Sequence, residues 1–123
     1  MSKSLRHFLD ISELPPAELR NMLAASIAMK AKLKAHGKAE KPLEGKTLAM
    51  IFERPSTRTR VSFEAGMNQL GGQAMVLPMG DIQLSRGESV ADTAHVLSRY
   101  LDAIVLRTFD HAIAEEWARE ASI

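Results

Sequence analysis

The sequence predicts an α/β fold, a parallel sheet with helices on both faces in the order α-β-α-β-α-β-α. Three short apolar runs carry this reading: TLAMIF (47–52), QAMVLP (73–78) and DAIVLRT (102–108). They lack polar alternation, as strands covered on both sides do. Segments with the helical repeat stand before, between and after them. Strands alternating with helices are joined by crossovers, and crossovers make the pairing parallel.

The first helix is expected within ISELPPAELRNMLAASIAMKAKLKAHG. Pro16 suits a first helical turn, where an N–H would lack an intrahelical partner anyway. Leu19, Leu23 and Ile27 recur every four residues, Met22 and Leu33 lie on neighbouring faces, and His36-Gly37 closes the pattern. KAEKPLEGK is a polar connector to the first strand. The helix after that strand runs to about Leu70 and stops at Gly71-Gly72. The second strand leads into a long polar loop, MGDIQLSRGE. Ser89 opens the next helix, with Asp92 at capping-box spacing and an apolar stripe of Val90, Ala94, Leu97 and Leu101. After the third strand, Asp110 caps a last helix in which Ile113 stacks on Trp117. Another strand would normally follow, so these 123 residues are expected to be part of a longer protein.

Bulk properties narrow the function. Hydrophobic residues make up 46% and charged residues 25%, enough for a core in a single domain. The net charge of +1 offers no global field for nucleic acid or membrane, so neither is an expected partner and any anion site must be local. The absence of cysteine excludes disulfides and thiolate metal sites and fits a cytoplasmic protein. No apolar run has the length of a membrane span, and MSKSLRHFLDISEL lacks a signal-peptide core. His95 stands mid-helix without a second ligand at i+4, which favours a structural role.

The chemistry concentrates in FERPSTRTRVSFEAG (52–66), where a strand becomes a helix. A helix N-terminus exposes unpaired N–H groups and partial positive charge, which suits an anion. Ser56, Thr57 and Thr59 add hydroxyl donors, and Arg58 and Arg60 add planar charged forks. Two positions apart, the arginines point to different sides of a helix, and Arg60 has Glu64 at i+4. Two readings remain open: Ser56 as a plain N-cap before solvated arginines, or a phosphate or carboxylate site. The glycines of a Walker A loop and of a GxGxxG turn are absent. Arg107, ending the third strand, falls at the same ligand edge of the sheet. Gln83, Ser85 and Arg86 are candidates in the 78–88 loop, since loops of this length are often functional.

The opening FLDISEL, then FERPSTRTRVSFE and GESVADTAHVLSRYLDAIVLRT, in order and spacing, resemble the aspartate/ornithine carbamoyltransferase family over nearly the whole chain. Gln83 in DIQLSRGES is similar to the members whose acceptor is ornithine. The resemblance implies the carbamoyl-phosphate-binding domain, residues 1–123, of an enzyme that converts carbamoyl phosphate and ornithine to citrulline and phosphate. It implies that Ser56, Thr57, Arg58, Thr59, Gln83 and Arg107 bind carbamoyl phosphate, with Arg58, Thr59 and Arg107 catalytic. Arg58 would neutralise the leaving phosphate, and Thr59 and Arg107 would hold the carbamoyl oxygen. No metal or organic cofactor is implied. It further implies trimers or multiples of trimers, Gln83 reaching a neighbour's site, a cytoplasmic location and a place in arginine biosynthesis. The family's ornithine-binding second domain is absent from this chain, as are its H-P-C-Q segment and S-M-G loop. His95 stands where members often have arginine, which touches no catalytic assignment. Another acceptor (aspartate, putrescine, an acylated ornithine) and a non-catalytic phosphate-binding fragment are the alternatives.

Overall fold

A computed structural model describes residues 5–38, 40–81 and 86–123. Its elements are α1 (Pro16–His36), β1 (Thr47–Phe52), α2 (Thr57–Gln69), β2 (Gln73–Pro78), α3 (Val90–Leu97), β3 (Ala103–Arg107) and α4 (His111–Glu120). The three strands form one parallel sheet in the order β2-β1-β3.

The central strand explains its own lack of alternation. Leu48 through Phe52 are all buried. Leu48, Met50 and Phe52 pack with Met67 of α2 and with Ala74, Val76 and Val105 of the neighbouring strands. Ile51 packs on the opposite face with Ala94 of α3 and Trp117 of α4, joined by Val90, Leu97 and Ile113. The side chains alternate as in any strand, but both faces are covered, so both registers are apolar. The crossover through α2 carries the chain from β1 to one side, and α3 returns it to the other. Right-handed crossovers in opposite directions place their helices on opposite faces.

Local signals set the helix ends. Ser89 accepts the Asp92 N–H at 3.1 Å, and Asp110 accepts the Ala112 N–H at 3.0 Å. Beyond α2, the Gly72 N–H reaches back to the Met67 carbonyl at 2.8 Å. Gly71 has a φ of 89°, and a Cβ there would lie 2.7 Å from Lys41 Cβ. The turn needs glycine both for its backbone and for the connector pressed against it.

The first helix departs from the sequence reading. It begins at Pro16, and Ile11–Glu13 form a separate 3-10 turn capped by Asp10. The Leu19, Leu23, Ile27 stripe does not enter the core. No residue of α1 is buried, and Leu23 and Ile27 are 59% and 71% exposed. Periodicity reports that a helix has an apolar face, not which element covers it. The third strand is shorter than DAIVLRT because Asp102 acts as an anchor beneath it. Its carboxylate accepts the Thr47 N–H at 2.9 Å and the Lys46 ammonium at 3.0 Å. These contacts, the Thr47 bond first, hold the Asp102 carboxyl below the usual carboxylate range. Leu101 lies beyond the end of α3 but is buried.

Candidate functional site

The sheet order reverses direction at β1, with β2 on one side and β3 on the other. The crevice outside the carboxyl ends of β1 and β3 is the switch point where such sheets bind ligands. Parallel register sets Phe52, the last residue of β1, opposite Arg107, the last of β3. Four residues beyond Phe52, Ser56 stands at the N-cap of α2. The basic cluster and Arg107, far apart in sequence, therefore face one crevice.

Ser56 occupies the N-cap position, with extended backbone at φ −147°, but its hydroxyl caps no N–H. It donates instead to Thr59 Oγ1 at 2.9 Å. Arg107 Nη1 donates to Ser56 Oγ at 3.0 Å and reaches Thr59 Oγ1 at 3.4 Å. The plain N-cap reading thus describes the backbone of Ser56 and not its side chain. Consequently the N–H groups of Thr57, Arg58 and Thr59 have no acceptor among the described residues. Thr59 accepts from both partners, which leaves its own O–H free to donate. Ser56 and Thr59 are half-buried, whereas Thr57 and Arg58 are exposed. Arg58 has no hydrogen-bond or ion-pair partner among the described residues. Arg60 turns away, and its Nε lies 3.2 Å from Glu64 Oε2.

The remaining candidates stand differently. Gln83 and Ser85 lie outside the described residues, and Arg86 is exposed. His95 Nε2 lies 3.4 Å from Glu120 Oε2, linking α3 to α4. Among the described residues no group of three His, Asp or Glu side chains is placed to hold a metal ion. No described helix is long and apolar enough to cross a membrane.

Three residues at the site were not singled out from sequence. The Glu53 N–H donates to the Arg107 carbonyl at 2.9 Å. Its carboxylate accepts the Phe109 N–H. The Arg54 guanidinium lies 4.4 Å from the centre of the Phe109 ring, a cation–π contact. Glu53 and Arg54 stand directly before the cluster, but no local pattern names a partner more than fifty residues on.

A helix N-terminus, two arginines and free hydroxyl and amide donors can hold a tetrahedral oxyanion. They can also stabilise charge developing on a carbonyl oxygen. Residues 6–123 match the family model for aspartate/ornithine carbamoyltransferase, carbamoyl-P binding domain. The chain belongs to the aspartate/ornithine carbamoyltransferase family. Within that family it is 62% identical over 123 residues to an ornithine carbamoyltransferase of Bradyrhizobium diazoefficiens, covering 100% of this chain and 40% of the relative. It is 59% identical over 118 residues to one of Rhodopseudomonas palustris, covering 96% and 38%. Among solved structures, ornithine carbamoyltransferase from Pyrococcus furiosus superposes with a TM-score of 0.89 at 48% identity, over 96% of this chain and 37% of that one. The chain spans about two fifths of the length of these relatives.

Proposed function

We propose that this chain is the amino-terminal, carbamoyl-phosphate-binding domain of an ornithine carbamoyltransferase. The observation that carries the reading is the meeting of Arg107 with Ser56 and Thr59 at a helix N-terminus whose first N–H groups have no acceptor among the described residues. The phosphate of carbamoyl phosphate sits on that terminus, among Ser56, Thr57, Arg58 and Thr59. The free Thr59 O–H and the Arg107 guanidinium point their donors at the carbamoyl oxygen, and Arg58 lies beside the phosphate. The neutral side-chain amine of ornithine attacks the carbonyl carbon. The oxygen gains negative charge, and the bond from that carbon to the phosphate oxygen breaks. Phosphate leaves with the charge Arg58 neutralises, the nitrogen loses a proton, and citrulline remains. Fixed donors act without reorganising as that charge develops.

Ornithine binding belongs to a second domain outside these 123 residues, which the greater length of the relatives supports. The decisive assay follows isotope from carbamoyl phosphate into product, with ornithine, aspartate, putrescine and an acylated ornithine offered in turn to the full-length protein. Citrulline is the expected product, and preference for another amine would overturn the acceptor assignment. The 123-residue chain alone should transfer nothing, because catalysis needs the amine held in a near-attack position and that role falls to the second domain. Turnover by a clean preparation of it would refute the division of labour.

The whole protein works as a trimer or a multiple of trimers in the cytoplasm, making citrulline for arginine synthesis. Gln83 of one copy completes the site of the next. The resemblance of DIQLSRGES to the family's loop supports this. Full-length Arg58→Ala and Gln83→Ala proteins, unfolded together in equal amounts and refolded, should regain activity toward about a quarter of wild type as mixed rings form. Activity equal only to the parental average would place Gln83 within its own chain's site or outside catalysis.

A further inference from the structure

We infer that Glu53 is a positioning residue for Arg107, with Arg54 and Phe109 forming the outer half of the same clamp. The inference rests on the proposed role of Arg107. Glu53 is bonded twice across the end of β3, once to its last residue and once to the turn beyond it. Its N–H holds the Arg107 carbonyl, and its carboxylate holds the Phe109 N–H. Around Phe109, Thr108 and Asp110 close a small turn: Asp110 N–H donates to Thr108 Oγ1 at 2.9 Å, and the Thr108 hydroxyl donates back to the Asp110 carbonyl. Asp110 in turn caps α4. The end of β3 is thus fixed to α4 by its own turn and to the end of β1 through Glu53.

Arg107 must reach across that gap to Ser56 and Thr59. The placement of its guanidinium depends on the spacing between the ends of β1 and β3, which the Glu53 bonds span. The charge arrangement is also selective. A carboxylate beside an anion site would repel the ligand, but this one is turned onto the Phe109 amide, and among the described residues it pairs with neither the Arg58 nor the Arg107 guanidinium. Arg54 is likewise turned outward onto a ring that is 67% exposed. Neither side chain of this outer contact belongs to the core, so its replacement should leave the fold intact.

The test uses the full-length protein and kinetics with carbamoyl phosphate as the varied substrate. Glu53→Ala should lower kcat/KM about 100-fold, the scale of a loss from misplacing one group by an ångström. Glu53→Gln keeps an oxygen that can accept the Phe109 N–H and should recover most of that loss. Glu53→Ala added to Arg107→Ala should cost almost nothing more, because the residue it positions is gone. Phe109→Ala should lower kcat/KM several-fold at an unchanged melting temperature, which keeps the test open if Glu53→Ala does not fold. A silent Arg107→Ala would remove the proposed role of the site itself. A crippling Arg107→Ala with a silent Glu53→Ala, with independent losses in the double variant, or with Gln no better than Ala, would overturn the clamp alone. An unchanged kcat/KM in Phe109→Ala would remove its outer half.

Discussion

Arg58→Ala in the full-length protein is expected to lower carbamoyl transfer by hundreds-fold while leaving the fold intact. Three observations lead there. Arg58 is the second residue of α2, beside N–H groups that have no acceptor among the described residues. It is exposed and has no ion-pair or hydrogen-bond partner among those residues, so its removal breaks no contact that holds the domain together. Its charge lies where the proposed leaving phosphate develops its own. Removing one preorganised donor from such a position costs roughly 3 kcal/mol of transition-state stabilisation, or about 100- to 1,000-fold in rate. The neighbouring arginine is the control. Arg60 is 54% exposed and pairs with Glu64 one helical turn away. Such a surface pair is worth about 0.3–0.5 kcal/mol, so Arg60→Ala should lower stability slightly and turnover less than Arg58→Ala. Steady-state kinetics and thermal melts of both variants decide the ranking, and the reverse order would show that the two roles are interchanged.

Ile51→Ala should carry the largest stability loss that a single aliphatic truncation can produce here. Ile51 is 0% exposed near the carboxyl end of the central strand β1, against Ala94 and Trp117, with Leu77, Val90, Leu97, Ile104 and Leu106 around them. Truncation removes buried methyl and methylene groups and leaves a cavity, since a central strand clamped on both sides cannot move in to fill it. The expected cost is about 2–5 kcal/mol, against about 0.5–1.5 for Ile51→Val. Domains of this size have about 5–15 kcal/mol in total, so the alanine variant should approach the edge of folding. Ile27→Ala, at a residue of α1 that is 71% exposed, should change stability by less than about 0.5 kcal/mol within this chain. Urea midpoints for the three variants are the measurement. A cost below about 1 kcal/mol for Ile51→Ala would mean that the core does not rest on β1.

Features whose physics acts within one or two turns were legible in the residues. Ser89 and Asp110 cap the helices they precede, Arg60 meets Glu64, and Gly71-Gly72 ends α2. The uninterrupted apolar run of β1 announced a strand covered on both faces, because a strand with one wet face would alternate. Family resemblance in S-T-R-T-R and G-E-S supplied the candidate residues, and the local logic of a helix N-terminus explained their chemistry.

Long-range partnership was decided by the tertiary structure. Arg107 touches Ser56 because β3 pairs beside β1 in a register that sets Arg107 opposite Phe52. No spacing in the chain specifies that choice. The Glu53 contact with Phe109 has the same origin, two strand ends brought side by side by the sheet order β2-β1-β3. The side chain of Ser56 was decided in this way too. Its sequence position makes it an N-cap, but the arriving guanidinium and the Thr59 hydroxyl offer it other partners, and the first helix N–H groups have no acceptor among the described residues. The stripe of α1 shows the same limit from the other side: its periodicity is local and real, while its burial depends on a partner surface that these residues do not provide. Caps and i,i+4 pairs depend on backbone geometry a few residues long and are written in the sequence. A site between two strand ends depends on which strands pair and in what register, and that is settled only when the whole sheet assembles.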